Sequence, residues 1–224
     1  MLTPTPPITV AELRLVPYFA RLNDEALAGV ARLVVARAYI RGDLIQVEGE
    51  RCDGLWIVRS GRVRVFKTSP EGREQVLALI GPGESFNDVP VFDGGANVAS
   101  AEAVEAATAV CLRRDDVQAL LEREPTFAVA VIRVLGARLR HMTGLVEDLS
   151  FRNVAARVAK ILLGQASDPE AGRLTQSEMA AIAGTAREVV GRALKALEQE
   201  GVLQTDHGRI VILNRARLEE IAGL

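Results

Sequence analysis

Between residues 38 and 115 glycines recur at short intervals (Gly42, Gly49, Gly54, Gly61, Gly72, Gly81, Gly83), and the stretches between them are brief and apolar. Leu44-Ile45-Gln46-Val47, Leu55-Trp56-Ile57-Val58, Val63-Arg64-Val65-Phe66 and Val76-Leu77-Ala78-Leu79-Ile80 each have the length of a strand. Short strands with a glycine turn every ~8–12 residues describe an antiparallel sandwich or barrel. Ser69-Pro70-Glu71-Gly72 reads as a hairpin turn. A last strand pair, near Val98–Val104 and Ala109–Leu112, closes this β region.

Helical patterns flank it. After a Pro-rich leader over residues 1–8, Leu13, Leu22, Leu27, Val30, Leu33 and Val34 recur at helical spacing, with a start signal at Asn23-Asp24 and a break at Pro17. Helix returns over 115–149, and Pro125 starts a new segment at its first turn. From there Ile132, Leu135, Leu139, Met142, Val146 and Leu149 follow one another in alternating steps of three and four. That repeat keeps a narrow stripe facing a straight partner helix, so a dimer coiled coil is expected. The alternative is a helix packed on its own barrel. Gly136 and Gly144 weaken the helix locally. Residues 152–163 predict an amphipathic helix, 164–172 a loop, and 174–224 a compact helical unit ending in a β-hairpin. The expected domains are 1–124, a sensing barrel with N-terminal helices; 125–151, a dimerisation helix; and 152–224, a DNA-binding unit.

A chain of 224 residues suits two small domains. Its net charge of −2 does not advertise a nucleic-acid partner, so any DNA site must come from the placement of a few Arg and Lys. Two cysteines, Cys52 and Cys111, fall short of the four thiolates an iron–sulfur cluster usually takes, and of a disulfide framework. Met1–Pro7 lacks the positive start of a signal peptide, and no apolar stretch is long enough to span a membrane. The expected location is the cytoplasm.

The most specific motif runs from Leu174 to Gly201. Thr175-Gln-Ser-Glu178 is a capping box, in which the Thr hydroxyl accepts an orphan N–H and Glu178 reaches back. The helix that follows ends at Gly184, and Thr185 is expected to cap a second helix over 186–200. Ala180, Gly184 and Val190 supply the small residue, the turn and the apolar lock of a helix-turn-helix. The second helix has two faces. Val190, Ala193, Leu194 and Leu197 line one; Arg187, Glu188, Gly191, Arg192 and Lys195 line the other. Arginine forks onto guanine and a carboxylate accepts from cytosine N4. A glutamate among arginines repels phosphate and is useful on a DNA face only if it reads a base. Strands near Val202–Gln204 and Arg209–Leu213 flank the turn Asp206-His207-Gly208. That hairpin either brings Arg209 or His207 to phosphate or simply stabilises the fold.

The stretch Gly184-Thr-Ala-Arg-Glu-Val-Val-Gly-Arg192 resembles the recognition segment of the cyclic AMP receptor protein/fumarate–nitrate regulator family. Asp53-Gly-Leu-Trp-Ile-Val-Arg-Ser-Gly61 with Arg62-Val-Arg-Val65, and Gly83-Glu-Ser-Phe86, resemble its cyclic-nucleotide-binding barrel. The resemblance covers roughly residues 10–215. It implies an α+β fold: an N-terminal double-stranded β-helix (jelly-roll) barrel, a long dimerisation helix and a C-terminal winged helix-turn-helix. It implies a homodimer on palindromic double-stranded DNA with GTGA-like half-sites, read by Arg187, Glu188 and Arg192. Thr175, Gln176, Thr185, Lys195 and Arg209 are the further candidate DNA contacts, and RNA polymerase is an expected partner.

By the same resemblance the effector pocket involves Phe86, Asn87, Asp88, Val98, Ala99, Arg138, Met142 and Thr143. Members that bind cyclic AMP carry Gly-Glu and then Arg-Ser in the phosphate cradle. Here those pairs are Asn87-Asp88 and Val98-Ala99, and the adenine-contacting Thr-Ser pair is Met142-Thr143. A buried cyclic phosphate with no arginine at Val98 would lack a partner, so cyclic AMP is not expected. Haem remains open, with Cys52, Cys111, His141 or a methionine as axial ligands. So do a redox switch at Cys52 or Cys111, another small-molecule effector, and a regulator with no effector, controlled by its abundance. A ligand-binding module with a vestigial DNA-binding unit is disfavoured by Arg187, Glu188 and Arg192. The chain offers no Ser/His/Asp, Cys/His or metal constellation for an enzyme, and residues 1–140 hold no histidine.

Overall fold

The computed structural model describes residues 7–167, 174–206 and 209–224. They form two compact units, one of Met1–Lys67 with Leu77–His141, the other of Thr68–Val76 with Met142–Leu224.

The first unit opens with α1 (Val10–Leu15) and α2 (Asp24–Leu33). Thr9 and Glu12 close a capping box on α1, and the Asn23 side chain caps α2. Eight strands follow: β1 (Val35–Tyr39), β2 (Leu44–Gln46), β3 (Gly54–Ser60), β4 (Val63–Thr68), β5 (Glu74–Ile80), β6 (Ser85–Phe86), then, after α3 (Asp88–Asp93), β7 (Ser100–Ala103) and β8 (Ala107–Arg113). They lie in two four-stranded sheets, ordered β1-β8-β3-β6 and β2-β7-β4-β5. Each glycine-bounded run expected as a strand is one. The Ser69–Arg73 turn is closed by backbone hydrogen bonds of 2.8 and 2.9 Å, with Gly72 at φ +79°. Trp56, Val58, Phe86, Ala109 and Cys111 build the core between the sheets. Leu55, Ile57, Val110 and Leu112 face the other way, onto α1, α2 and Phe127. Alternation along β3 and β8 serves both cores.

Two departures from expectation lie here. The helical pattern read through Val34 stops at Leu33, with Val34 as the C-cap, and β1 follows at once, its β-branched and aromatic residues paired with β8. Second, α3 is a short helix the pattern did not predict. It is bracketed by two left-handed residues, Asn87 (φ +68°) and Gly94 (φ +89°).

After α4 (Arg114–Arg123), α5 (Pro125–Phe151) runs unbroken for 27 residues from the expected proline, and the division between the units falls within it. The second unit adds α6 (Val154–Ser167), α7 (Gln176–Ala183), α8 (Arg187–Gln199), the antiparallel pair β9 (Leu203–Asp206) and β10 (Arg209–Ile212), and α9 (Arg215–Ala222). Helix α6 passes through Gly164, where a loop was expected. Nothing packs within 4 Å of the position a Cβ would take there, so glycine costs only its helix propensity. The rest of the expected loop, 168–172, lies outside the described residues. Val158, Leu162, Met179, Val190, Leu194, Leu197 and Leu218 form the core of this unit. Among the described residues no helix is long and apolar enough to cross a membrane.

Candidate functional site

The capping box at Thr175 and Glu178 forms as the sequence requires: Thr175 Oγ1 accepts from Glu178 N at 3.2 Å, and Glu178 Oε2 accepts from Thr175 N at 2.6 Å. Gly184 ends α7 in the left-handed conformation (φ +62°). Thr185 does not cap α8. Its N–H continues the turn by donating to Ala180 O at 3.0 Å, and the cap position is Ala186, which offers no side-chain acceptor. The first turn of α8 therefore keeps free N–H groups, with Glu188 beside them.

Val190, Ala193, Leu194 and Leu197 are buried, while Arg187, Glu188, Arg192 and Lys195 are exposed. None of these four charged residues makes an ion pair among the described residues. Thr175 and Gln176 are exposed at the start of α7, and Gln176 Oε1 approaches the open side of Gly191. The structure thus gathers Gln176, Gly191 and the charged face of α8, whose small central residue permits close approach to a partner. Arg209 begins β10, but its side chain and the turn residues His207 and Gly208 lie outside the described residues.

The barrel places the other predicted residues less uniformly. Asp88 is buried and forms an ion pair with Arg138 of α5, whose guanidinium also meets the Ser85 carbonyl and hydroxyl. Burial holds the Asp88 carboxyl above the usual carboxylate range, outweighing the pull of Arg138. Its Oδ1 has no hydrogen-bond partner among the described residues. Asn87 turns away from Asp88 and donates to Cys52 Sγ (3.4 Å) and Gly54 O (3.2 Å). Phe86 stacks on Trp56 with ring centroids 6.2 Å apart. Val98 is 47% exposed and Ala99 is buried, its carbonyl accepting from Gln46. Neither carries a cation for a phosphate, so these positions do not fit a cyclic phosphate held as in cyclic-AMP-binding members. Met142 is half-buried and Thr143 exposed, both within the second unit. A cavity of about 540 Å³ beside Ser85 and Arg138, walled by Ala78, Ile80, Val134 and His141, is one feature the sequence pattern missed, because its walls come from distant segments. Of the residues considered for haem, His141 has its Nε2 3.1 Å from Leu77 O, and both thiols are buried. Burial raises the Cys52 thiol and pushes Cys111 up to about 12, which disfavours the thiolate.

On α5 the seam residues Ile132 (70%), Leu139 (69%) and Val146 (63%) are exposed. Leu135 is half-buried and also packs against the core of the first unit. Leu149 is 39% exposed, and a Cβ on Gly184 would come within 2.8 Å of it.

Residues 36–124 match the family model for the cyclic nucleotide-binding domain, and residues 156–221 that for the Crp-like helix-turn-helix domain. The cyclic AMP receptor protein of Thermus thermophilus is 38% identical over 209 residues, covering 92% of this chain and 96% of that protein. The chain belongs to the cyclic AMP receptor protein/fumarate–nitrate regulator (CRP/FNR) family. A CRP-like cAMP-activated global transcriptional regulator of Mycobacterium tuberculosis is 32% identical, covering 89% of this chain and 93% of its own. Among solved structures, a CRP/FNR-family regulator from Eubacterium rectale shares the fold with a TM-score of 0.81 at 22% identity, over 94% of this chain and all of that one. This CRP/FNR protein is a DNA-binding transcription regulator rather than an enzyme, with an α+β fold of cyclic-nucleotide-binding barrel and C-terminal helix-turn-helix.

Proposed function

We propose that this regulator works as a homodimer that reads a palindromic site with GTGA-like half-sites and is gated through its barrel. The observation that carries the reading is the exposed trio Arg187, Glu188 and Arg192, free of ion pairs, on a helix whose opposite face is fully committed to the core. The two arginines fork onto guanines and Glu188 accepts from the cytosine strand. Lys195, Thr175, Gln176, Thr185 and Arg209 serve phosphates and register. The exposed stripe of α5 supports the twofold partner, which places two α8 helices about one duplex turn, ~34 Å, apart. RNA polymerase is the expected downstream partner.

Gating rests on α5 itself. The Asp88–Arg138 pair fastens the cradle segment to the helix that carries the seam. An effector acts by binding one arrangement of that helix better than the other. The effector is not a cyclic phosphate seated at Val98-Ala99, and a haem held through Cys52 or Cys111 is disfavoured by the burial of both thiols, which leaves His141 or a methionine as its ligand. A second reading, regulation by abundance alone, draws support from the same pair, since Arg138 already takes Oδ2 of the carboxylate an effector hydroxyl would use and leaves only Oδ1 open.

Fluorescence anisotropy with a palindromic TGTGA-type duplex tests the first claim. Arg187→Ala and Arg192→Ala each remove one bidentate base contact per protomer, two per dimer, and are each expected to weaken binding about 30- to 20,000-fold, from about 1–3 kcal/mol per contact. Indifference to both substitutions would overturn direct readout. Repeating the titration with and without a small-molecule extract separates the gated reading from the ungated one.

A further inference from the structure

The barrel holds a second cavity, of about 470 Å³, whose arginines take no part in the site above. Its position follows from strand register. Val35, Cys111 and Trp56 are aligned across β1, β8 and β3, Arg37 pairs with Ala109, and Arg113 pairs with Gly54. Alternate residues share a face, so Arg37 and Arg113 stand on the same face as buried Trp56 and Cys111. That face is the one turned into the barrel, and the two arginines occupy its rim where alternation would otherwise supply apolar residues. Arg51 and Arg114 complete the wall.

Four guanidiniums thus surround one cavity, against two carboxylates, Asp53 and Asp115. No ion pair is formed by Arg37, Arg51, Arg113 or Arg114 among the described residues. Arg37 lies over the Trp56 ring at 5.6 Å, and Arg114 donates to Gly94 O at 3.2 Å. Arginines on this chain with a carboxylate in reach take it, as Arg59, Arg62 and Arg64 do. Helix α4 also begins here, on Arg113, with no side-chain cap. A concave, partly apolar wall strengthens the field of fixed cations, and guanidinium forks match oxyanions bidentately. The volume is that of a small-molecule site.

We infer that this cavity binds a small polyvalent oxyanion, a molecule carrying two or more phosphoryl or carboxylate groups. The site abuts the cradle: Cys52 lines the cavity and, with Gly54, accepts from Asn87, the neighbour of Asp88.

Trp56 is the chain's single tryptophan and lines this cavity, so intrinsic fluorescence reports its occupancy directly. The full chain is titrated with inorganic pyrophosphate and, separately, with citrate, at ionic strength matched with chloride. The expected result is saturable binding of one equivalent per chain by calorimetry, with a Trp56 emission change for whichever oxyanion chemistry the site takes. Arg51→Gln/Arg113→Gln, both at exposed rim positions, is expected to weaken it at least 10-fold with an unchanged melting temperature. Arg187→Gln/Arg192→Gln, on the DNA-reading helix, is expected to leave it unchanged. Absence of saturable binding by either anion, binding lost only in the α8 variant, or binding of an acidic peptide but of neither small anion would each overturn the assignment.

Discussion

Substituting Ile132 by Ala examines the twofold arrangement at its most exposed apolar point. Ile132 leaves 70% of itself in water on α5. Full burial of such a side chain contributes about 1.5–3 kcal/mol, so covering the exposed share contributes about 1–2 kcal/mol per copy and about 2–4 kcal/mol per dimer. At 1.4 kcal/mol per tenfold, Ile132→Ala should raise the dimer dissociation constant about 30- to 700-fold. Alanine is the better helix former, so damage to the isolated chain has the opposite sign and cannot mimic the effect. Sedimentation equilibrium over a wide concentration range measures the constant, and circular dichroism checks that helicity is kept. A dissociation constant within threefold of the parent, or a parent that never dimerises, would refute the assignment of this stripe as a seam.

Three further outcomes are expected. Thr175→Ala removes the capping box of α7 and should cost about 1 kcal/mol, read as a lower urea midpoint. Gly54→Ala places a methyl 2.1 Å from Leu112 O and 2.9 Å from Cys111 Sγ, a backbone collision that should cost at least 1–3 kcal/mol by urea denaturation; a loss under 0.5 kcal/mol would contradict the β3–β8 contact. The raised Asp88 carboxyl means the folded protein holds that proton more tightly than the unfolded chain does. Stability therefore falls as pH climbs from the ordinary carboxylate range through the raised value. Urea midpoints between about pH 4 and 8 should show Asp88→Asn gaining on the parent as pH rises, and parallel profiles would sink the argument.

The strands were legible because glycine and apolar alternation are local signals. Each run from Leu44 to Ile80 carries its own periodicity and stop. The α7–turn–α8 unit was legible for the same reason, with Thr175, Gly184 and Val190 sitting at fixed offsets. What pattern missed depended on tertiary partners. Val35–Tyr39 pairs with β8, which no local feature announces, and Ala186 rather than Thr185 ends the turn because Thr185 N–H is held by Ala180 O. Leu135 reads like any other seam residue, and only the folded chain shows that it also packs against the core of the first unit. The cradle residues were named from a resemblance, and no local pattern announced that Asn87 would turn to Cys52 while Asp88 turned to Arg138. The two cavities draw their walls from segments far apart in the chain.

Selection of bound duplexes from a randomised DNA library, using the purified full chain, interrogates readout and symmetry together. The enriched motif should be a palindrome whose guanines lie in two half-sites centred about one helical turn apart. Enrichment of no motif, or of one unrepeated half-site, would contradict the reading of Arg187, Glu188 and Arg192 as a duplicated base-contacting set.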